Sequence, residues 1–270
     1  MQNTFTTPDP VALHVELGSG TVSIDAVETG ESSVTITGPR AEEFVVEQSG
    51  RNLAVIAPRG RFFGSDNHTV RVVVPEGSDV STKTGSADTE TSGPLGTVML
   101  KTGSGDIEVA RADGTMVVES GSGDVRCHEA GDAVRIKSGS GDIDLGDVRG
   151  RTGISTGSGD VVIGVAHERT VIKTGSGDLE LKRSESDVSL TTASGDLVVG
   201  HAPRGKISAK NVSGDVRVGI PAGTPVWTDV NTVTGSVASN LQSVGKPTDG
   251  QDFVELRATT VSGDVRLVQV

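Results

Sequence analysis

The sequence has no tyrosine, one tryptophan and five phenylalanines, so aromatic residues are 2% of its 270 positions. A core built on stacked rings is excluded. Any core must come from Val, Ile, Leu, Thr and Ala. There is one cysteine, Cys127, so no disulfide can form within the chain. No run of 18 apolar residues occurs, which leaves no span of helical transmembrane type. The opening residues, MQNTFTTPDPVALHVELGSG, lack both a basic stretch and a long apolar stretch, so they do not read as a signal peptide. The expected compartment is therefore the cytoplasm, with the cell surface kept as the alternative. Basic residues are the minority: 24 Lys and Arg face 36 Asp and Glu, a net charge of −12. Phosphate backbones would repel such a chain, which argues against a nucleic-acid partner. Stretches with apolar residues at i, i+3, i+4 and i+7 are missing, so helices are not expected.

What the chain has is a repeat. Variants of the segment TGSGD place aspartates at Asp88, Asp106, Asp124, Asp142, Asp160, Asp178 and Asp196, each 18 residues from the last. The register then slips by one to Asp215, and the motif returns after an insertion at Asp264. A degenerate copy, TVTGSVAS, lies between these two, and an early one, LGSGTVSI, starts at Leu17. One residue after the aspartate stand Ile107, Val125, Ile143, Val161, Leu179 and Leu197. Three after it stand Val109, Cys127, Leu145, Ile163, Leu181 and Val199. The residues between them are mostly charged. That is the period-two pattern of a strand with one face inward. Six before the aspartate is a column of Leu, Val and Ile, and four before it a column of Thr and Ser, which gives a second strand. Each unit is thus strand, GSGD corner, strand, variable turn.

A strict period with like residues in like columns predicts stacked coils. The expected fold is all-β: a single-stranded β-solenoid with 18-residue coils, two main strands per coil and a β-rich N-terminal cap. Residues 1–80 are expected to hold the cap and first coil, and residues 81–270 the solenoid with its C-terminal closing coils. Trp227 is available to plug that closing end.

Glycine accommodates positive φ, and Asp or Ser can bond nearby backbone in a turn. The aspartate ladder therefore reads as a structural corner. Repulsion between stacked carboxylates is about 1 kcal/mol per neighbour in water. A charge-assisted hydrogen bond from each to a turn amide contributes about 1.5–3 kcal/mol, so no ion is needed. A calcium β-roll is the competing reading. Its repeat puts glycine two residues before the aspartate and the apolar residue two after, whereas here both are adjacent to it. No metal or cofactor site is assigned.

Catalysis needs a constellation that breaks the repeat. The five histidines share no column, the carboxylates are too regular to single out a pair, and Cys127 stands in a column of core residues. The chain reads as a non-enzyme. A polysaccharide-acting β-helix would be revived by a cleft holding two acids and a base off the repeat columns. The loop Pro58 to Thr69 concentrates Arg61, Phe62 and Phe63. It is a candidate contact for a partner, or else a cover for the first coil.

Four blocks carry a resemblance: FTTPDPVALHVELGSGTVSI, VRVVVPEGSDV, the iterated TGSGD and RATTVSGDVRLVQV. Together they are similar to a large bacterial family of provisionally named adhesins, a domain of unknown function, and especially to its actinobacterial members. The resemblance implies a β-solenoid and no catalytic residues. The leading function is then a non-enzymatic, adhesin-like binding scaffold for an unknown protein or surface partner, acting as a monomer or weak homo-oligomer. The alternative is an intracellular structural solenoid that self-associates, which an uncapped end would favour.

Overall fold

The computed structural model describes residues 1–58 and 67–270. The chain is an all-β solenoid, and its one helical element among the described residues is the single 3-10 turn Ala41–Glu43. Strands before each GSGD corner pair in parallel in one sheet, and strands after it pair in parallel in another. The register is the sequence period: Ile172 lies beside Leu190, and Leu179 beside Leu197. Contacts divide the chain into two units, residues 1–133 with 137–141, and residues 134–136 with 142–270.

The alternation read from the sequence sets the core. Leu179, Leu181, Ile172 and Leu190 are fully buried, as are Val109, Leu145 and Ile163. Each such side chain contributes about 1.5–3 kcal/mol by leaving water. Cys127 is one of them, buried, with its Sγ 3.4 Å from the Glu129 carbonyl oxygen. Burial pushes its thiol pKa up to about 12, so it is protonated and inert at neutral pH.

In the first unit, strands Ala12–Leu17 and Gly20–Val27 form a coil that stacks directly on Asp79–Thr84 and Asp88–Leu95. The intervening chain doubles back. Asn52–Ile56 and His68–Pro75 make a further coil on the outer side of Ala12–Val27. Antiparallel strands then finish this end. Glu31–Thr37 pairs with His68–Pro75, Gln2–Thr6 with Glu31–Thr37, and Val45–Ser49 with Asn52–Ile56. The inner positions of this outer layer are closed off from water: Leu53, Val55, Val70, Val72, Val34 and Ile36 are all fully buried. Phe44 packs edge-on against His68, with ring centroids 5.0 Å apart.

The second unit ends in a related way, with the order of the last two coils inverted. Val254–Thr260 and Val265–Gln269 are last in sequence, yet they pair directly with Gly205–Lys210 and Val216–Ile220. The outermost coil is the earlier segment, Val226–Thr232 with Val237–Ser239. Trp227 does not plug this end. It lies beside Glu255, in the outward column of its strand, and is 50% exposed. The parity explains it: Val226, Thr228 and Val230 take the inward positions, which places the indole on the outer face.

Candidate functional site

The corner is built by stacking backbone on backbone. In the second unit, the N–H of Asp178 donates to Oδ1 of Asp160, that of Asp196 to Asp178 and that of Asp215 to Asp196, at 2.8, 2.8 and 2.7 Å. Asp160 donates in the same way to Asp142 at 2.9 Å, and Asp264 to Asp215 at 2.8 Å. In the first unit Asp106 bonds Asp88 and Asp124 bonds Asp106, at 3.0 and 2.9 Å. Each carboxylate thus accepts from the next coil, not from its own turn. Sequence reasoning expected a local turn contact. The partner one period away could be seen only once the coils were stacked.

Two other columns complete the corner. A Cβ on Gly177 would fall on the Gly159 carbonyl, and φ there is +129°. Glycine is needed for close approach as well as for its backbone angle. Inside the corner, the buried hydroxyls of Thr156, Thr174 and Thr192 donate to the carbonyls of Ser158, Ser176 and Ser194 at 2.8–2.9 Å. These residues staple the turn from within. At Asp264 the amide and hydroxyl of Ser236 hold the carboxyl below its ordinary pKa. Among the described residues, no group of three or more His, Cys, Asp or Glu is placed to hold a metal ion. Arg61, Phe62 and Phe63 lie outside the described residues.

On the outer face of the first unit, Lys101 Nζ sits 2.8 Å from Glu119, in the charge-alternating column five before the aspartate. That bond and its charge lower the Glu119 pKa. The pair is well exposed, so it adds little stability.

Two clefts lie in the second unit, both beside the departures from the 18-residue period. The first, of about 430 Å³, is lined by His167, Glu185, Asp187, Arg204, Lys206 and Asp252 among others. It holds acids and bases off the repeat columns, which is the feature an enzyme would require. Glu185, Asp187 and Asp252 each have a partner. His167 bridges Glu185 at 2.9 Å and Asp147 at 3.0 Å, and Arg183 also reaches Glu185 at 3.1 Å. Arg204 faces Asp252 at 3.7 Å, and Asp187 accepts the Lys206 amide at 2.9 Å. The hydrogen bonds from His167 and Arg183 lower the Glu185 pKa. A general acid requires the opposite shift. The geometry is that of a salt-bridged face.

The second cleft, of about 400 Å³, is mostly apolar. Pro225, Val226, Trp227, Pro247 and Phe253 line it together with Lys246, Glu255 and Arg257. The Arg257 guanidinium lies 5.6 Å from the centroid of the Trp227 ring and 3.0 Å from Glu255. Trp227 and Phe253 are 50% and 44% exposed. Sequence reasoning assigned Trp227 to the end of the stack and overlooked Phe253. The outward parity of Trp227 was available in the register of TVTGSV against TVSGDV.

None of the curated proteins matches the chain. Among solved structures, a provisionally named lipid-binding protein from Parabacteroides distasonis ATCC 8503 is similar over 99% of this chain and 96% of its own, with 15% identity and a TM-score of 0.51. A provisionally named adhesin from the same organism aligns over 99% and 96%, at 13% identity and a TM-score of 0.48. Another, from Parabacteroides merdae ATCC 43184, aligns over 99% and 95%, at 14% identity and 0.41. Of these three, the first supports a shared fold. The decisive match is to a family model: it spans residues 11–268, taking in every GSGD corner, and on that match the chain belongs to the Toastrack DUF4097 family.

Proposed function

We propose that this protein is a non-enzymatic, adhesin-like binding scaffold whose contact point is the cleft between Trp227 and Phe253. The observation that carries the reading is the exposure of these two rings around an apolar hollow. Aromatic residues are scarce in the chain, and most large apolar side chains in the second unit are buried. Exposed, clustered aromatics mark recognition surfaces more often than chance placement. Lys246 and Arg257 line it against the single acid Glu255, a local excess of positive charge in a chain of net charge −12. The cleft therefore suits an amphiphile with an apolar body and an anionic group. The lipid-binding name carried by one protein of the same fold agrees with this by analogy. The aspartate ladder stays structural in this reading, since its Oδ1 atoms are taken up by backbone amides.

Trp227 is the sole tryptophan, so its fluorescence reports the cleft directly. Titration with dodecanoate should give a saturable blue shift, weakened by Phe253→Ala and by Arg257→Gln. Dodecyltrimethylammonium, with the opposite head charge, should bind less well. No saturable change with either amphiphile would reject the proposal. The compartment is tested by adding protease to intact cells: protection would fit the cytoplasm, and cleavage would place the binding surface outside.

A further inference from the structure

The two chain-terminal ends of the stacked coils are finished differently, and we infer that the C-terminal one is a self-complementary surface for a second copy of this chain. The inward positions of the outermost N-terminal coil are fully buried under antiparallel strands. The corresponding positions of the outermost C-terminal coil are open. Val226 and Val230 are partly exposed, Thr228 and Ser239 are exposed, and Val237 is 53% exposed. Their partners one coil deeper, Val254, Leu256, Ala258 and Val265, are fully buried. The columns of the core thus run out to solvent with their apolar side chains uncovered.

Three further observations favour a second copy as the occupant. First, Val226–Thr232 and Val237–Ser239 are each the terminal strand of their sheet, so both present an unpaired backbone edge. Edges meant to stay alone carry Lys, Pro or a bulge. From Val226 to Ser239 the sequence VWTDVNTVTGSVAS has no Lys, Arg or Pro and a single charge, Asp229. Two copies that repel elsewhere through a net charge of −12 each meet almost no repulsion here. Second, the last three coils replace the first glycine of TGSGD, Gly175 in an earlier coil, with Val212, Val261 and Val233, which are 54%, 45% and 75% exposed. This apolar ladder is most exposed at the open end and widens the uncovered surface. Third, the size fits a weak dimer. The end coil runs from Val226 to Ser239, with one strand of seven residues and one of three. Across sheets about 10 Å apart, outward side chains included, the end is roughly 500 Å² per copy. Doubled, that is about 1,000 Å², the lower bound for a specific interface.

The geometry also sets the stoichiometry. The surface is the same on both copies, so a two-fold axis closes the contact and consumes it. Among the described residues, the opposite chain end finishes in antiparallel strands, which do not match the parallel coil left open here. The Trp227 cleft borders this surface and shares Val226 with it.

The test is sedimentation equilibrium of the intact chain over a wide concentration range, at low and high salt. A monomer–dimer equilibrium is expected, tighter at high salt because the repulsion between acidic copies is screened. Val237→Lys should weaken it tenfold or more, since the interface would bury an unpaired charge. Val233→Lys, at a position too exposed to affect folding, should weaken it as well. Circular dichroism of both variants should match the parent. A strictly monomeric chain at concentrations on the order of 1 mM would overturn the inference, being far above the dissociation constant of such an interface. A dimer indifferent to both substitutions, or growth beyond the dimer, would overturn it too.

Discussion

Asp178 stands in the middle of the second unit's carboxylate ladder, and two substitutions there separate charge from hydrogen bonding. Its Oδ1 accepts the Asp196 amide at 2.8 Å, while its own amide donates to Asp160 at 2.8 Å. The second bond belongs to the backbone and survives any side chain. Asp178→Asn keeps an acceptor and removes the charge. Asp178→Ala removes both. Carboxylates stacked about 4.8 Å apart repel by somewhat under 1 kcal/mol per neighbour in water. Both variants relieve two such neighbours equally, so the difference between them reports the acceptor alone. A neutral hydrogen bond is worth about 1 kcal/mol net. The Asn variant should therefore lie close to the parent, and the Ala variant about 1 kcal/mol below Asn. Repeat arrays depart from two-state unfolding, so a global melt is a blunt measure. Hydrogen exchange at the Asp196 amide is the sharper assay: a loss of about 1 kcal/mol speeds exchange roughly fivefold. At high salt the gap between Asn and Ala should persist, while the gap between Asn and the parent shifts toward the parent as repulsion is screened. Equal exchange in the two variants, or faster exchange in Asn than in Ala, would refute the ladder as the corner's bond.

Gly177→Val should destabilise the second unit by about 3 kcal/mol or more, since it combines positive φ with a collision against the Gly159 backbone. Gly153→Val is the control, because a Cβ there meets nothing within 4 Å and lies beside Val171 on a strand; urea denaturation should show it neutral or slightly stabilising. Thr91→Val should stabilise the first unit by about 1 kcal/mol. The Thr91 hydroxyl is buried without a hydrogen-bond partner, and its neighbour one coil on is Val109. A destabilised Thr91→Val in the same denaturation assay would show that the hydroxyl has a partner in solution.

The repeat made the coil legible because stacking imposes it. A column shared at 18-residue intervals fixes which residues are neighbours, which face inward and where the chain bends. The inward columns containing Leu179 and Leu181 followed from alternation alone. The order of the coils was not legible. Nothing in LGSGTVSI or in TVTGSVAS tells whether that copy is outermost or followed by another. Parallel pairing tolerates any order of coils that keeps register and strand direction. The cap was legible as strands without the period, but its antiparallel pairing depends on contacts such as Phe44 with His68, far apart in sequence and unrelated by the repeat. The site was least legible. Phe253 precedes a strand after a long insertion, and its meeting with Trp227 and Pro247 rests on how that insertion returns.

A solenoid of identical coils is poorly suited to unique recognition, because each surface position recurs one period away. A ligand that fits one rung fits the next. Unique surface therefore arises where the period fails, and both clefts described above lie there. The one-residue slip before Asp215 brings Arg204 and Lys206 into the polar cleft, and the insertion that delays Asp264 brings Pro247 and Phe253 to Trp227. The same insertion holds the outermost coil, since Val254–Thr260 must return beneath Val226–Thr232. The apolar cleft and the outermost coil thus share one origin, the insertion, and the polar cleft another, the slip. Deleting residues 241–250 and closing the gap with a short glycine linker should accordingly abolish the dodecanoate-induced shift of Trp227, while the coils before Arg204 keep their hydrogen-exchange protection. Loss of protection throughout the second unit would mean that the insertion supports the stack as a whole, and that the clefts cannot be separated from it.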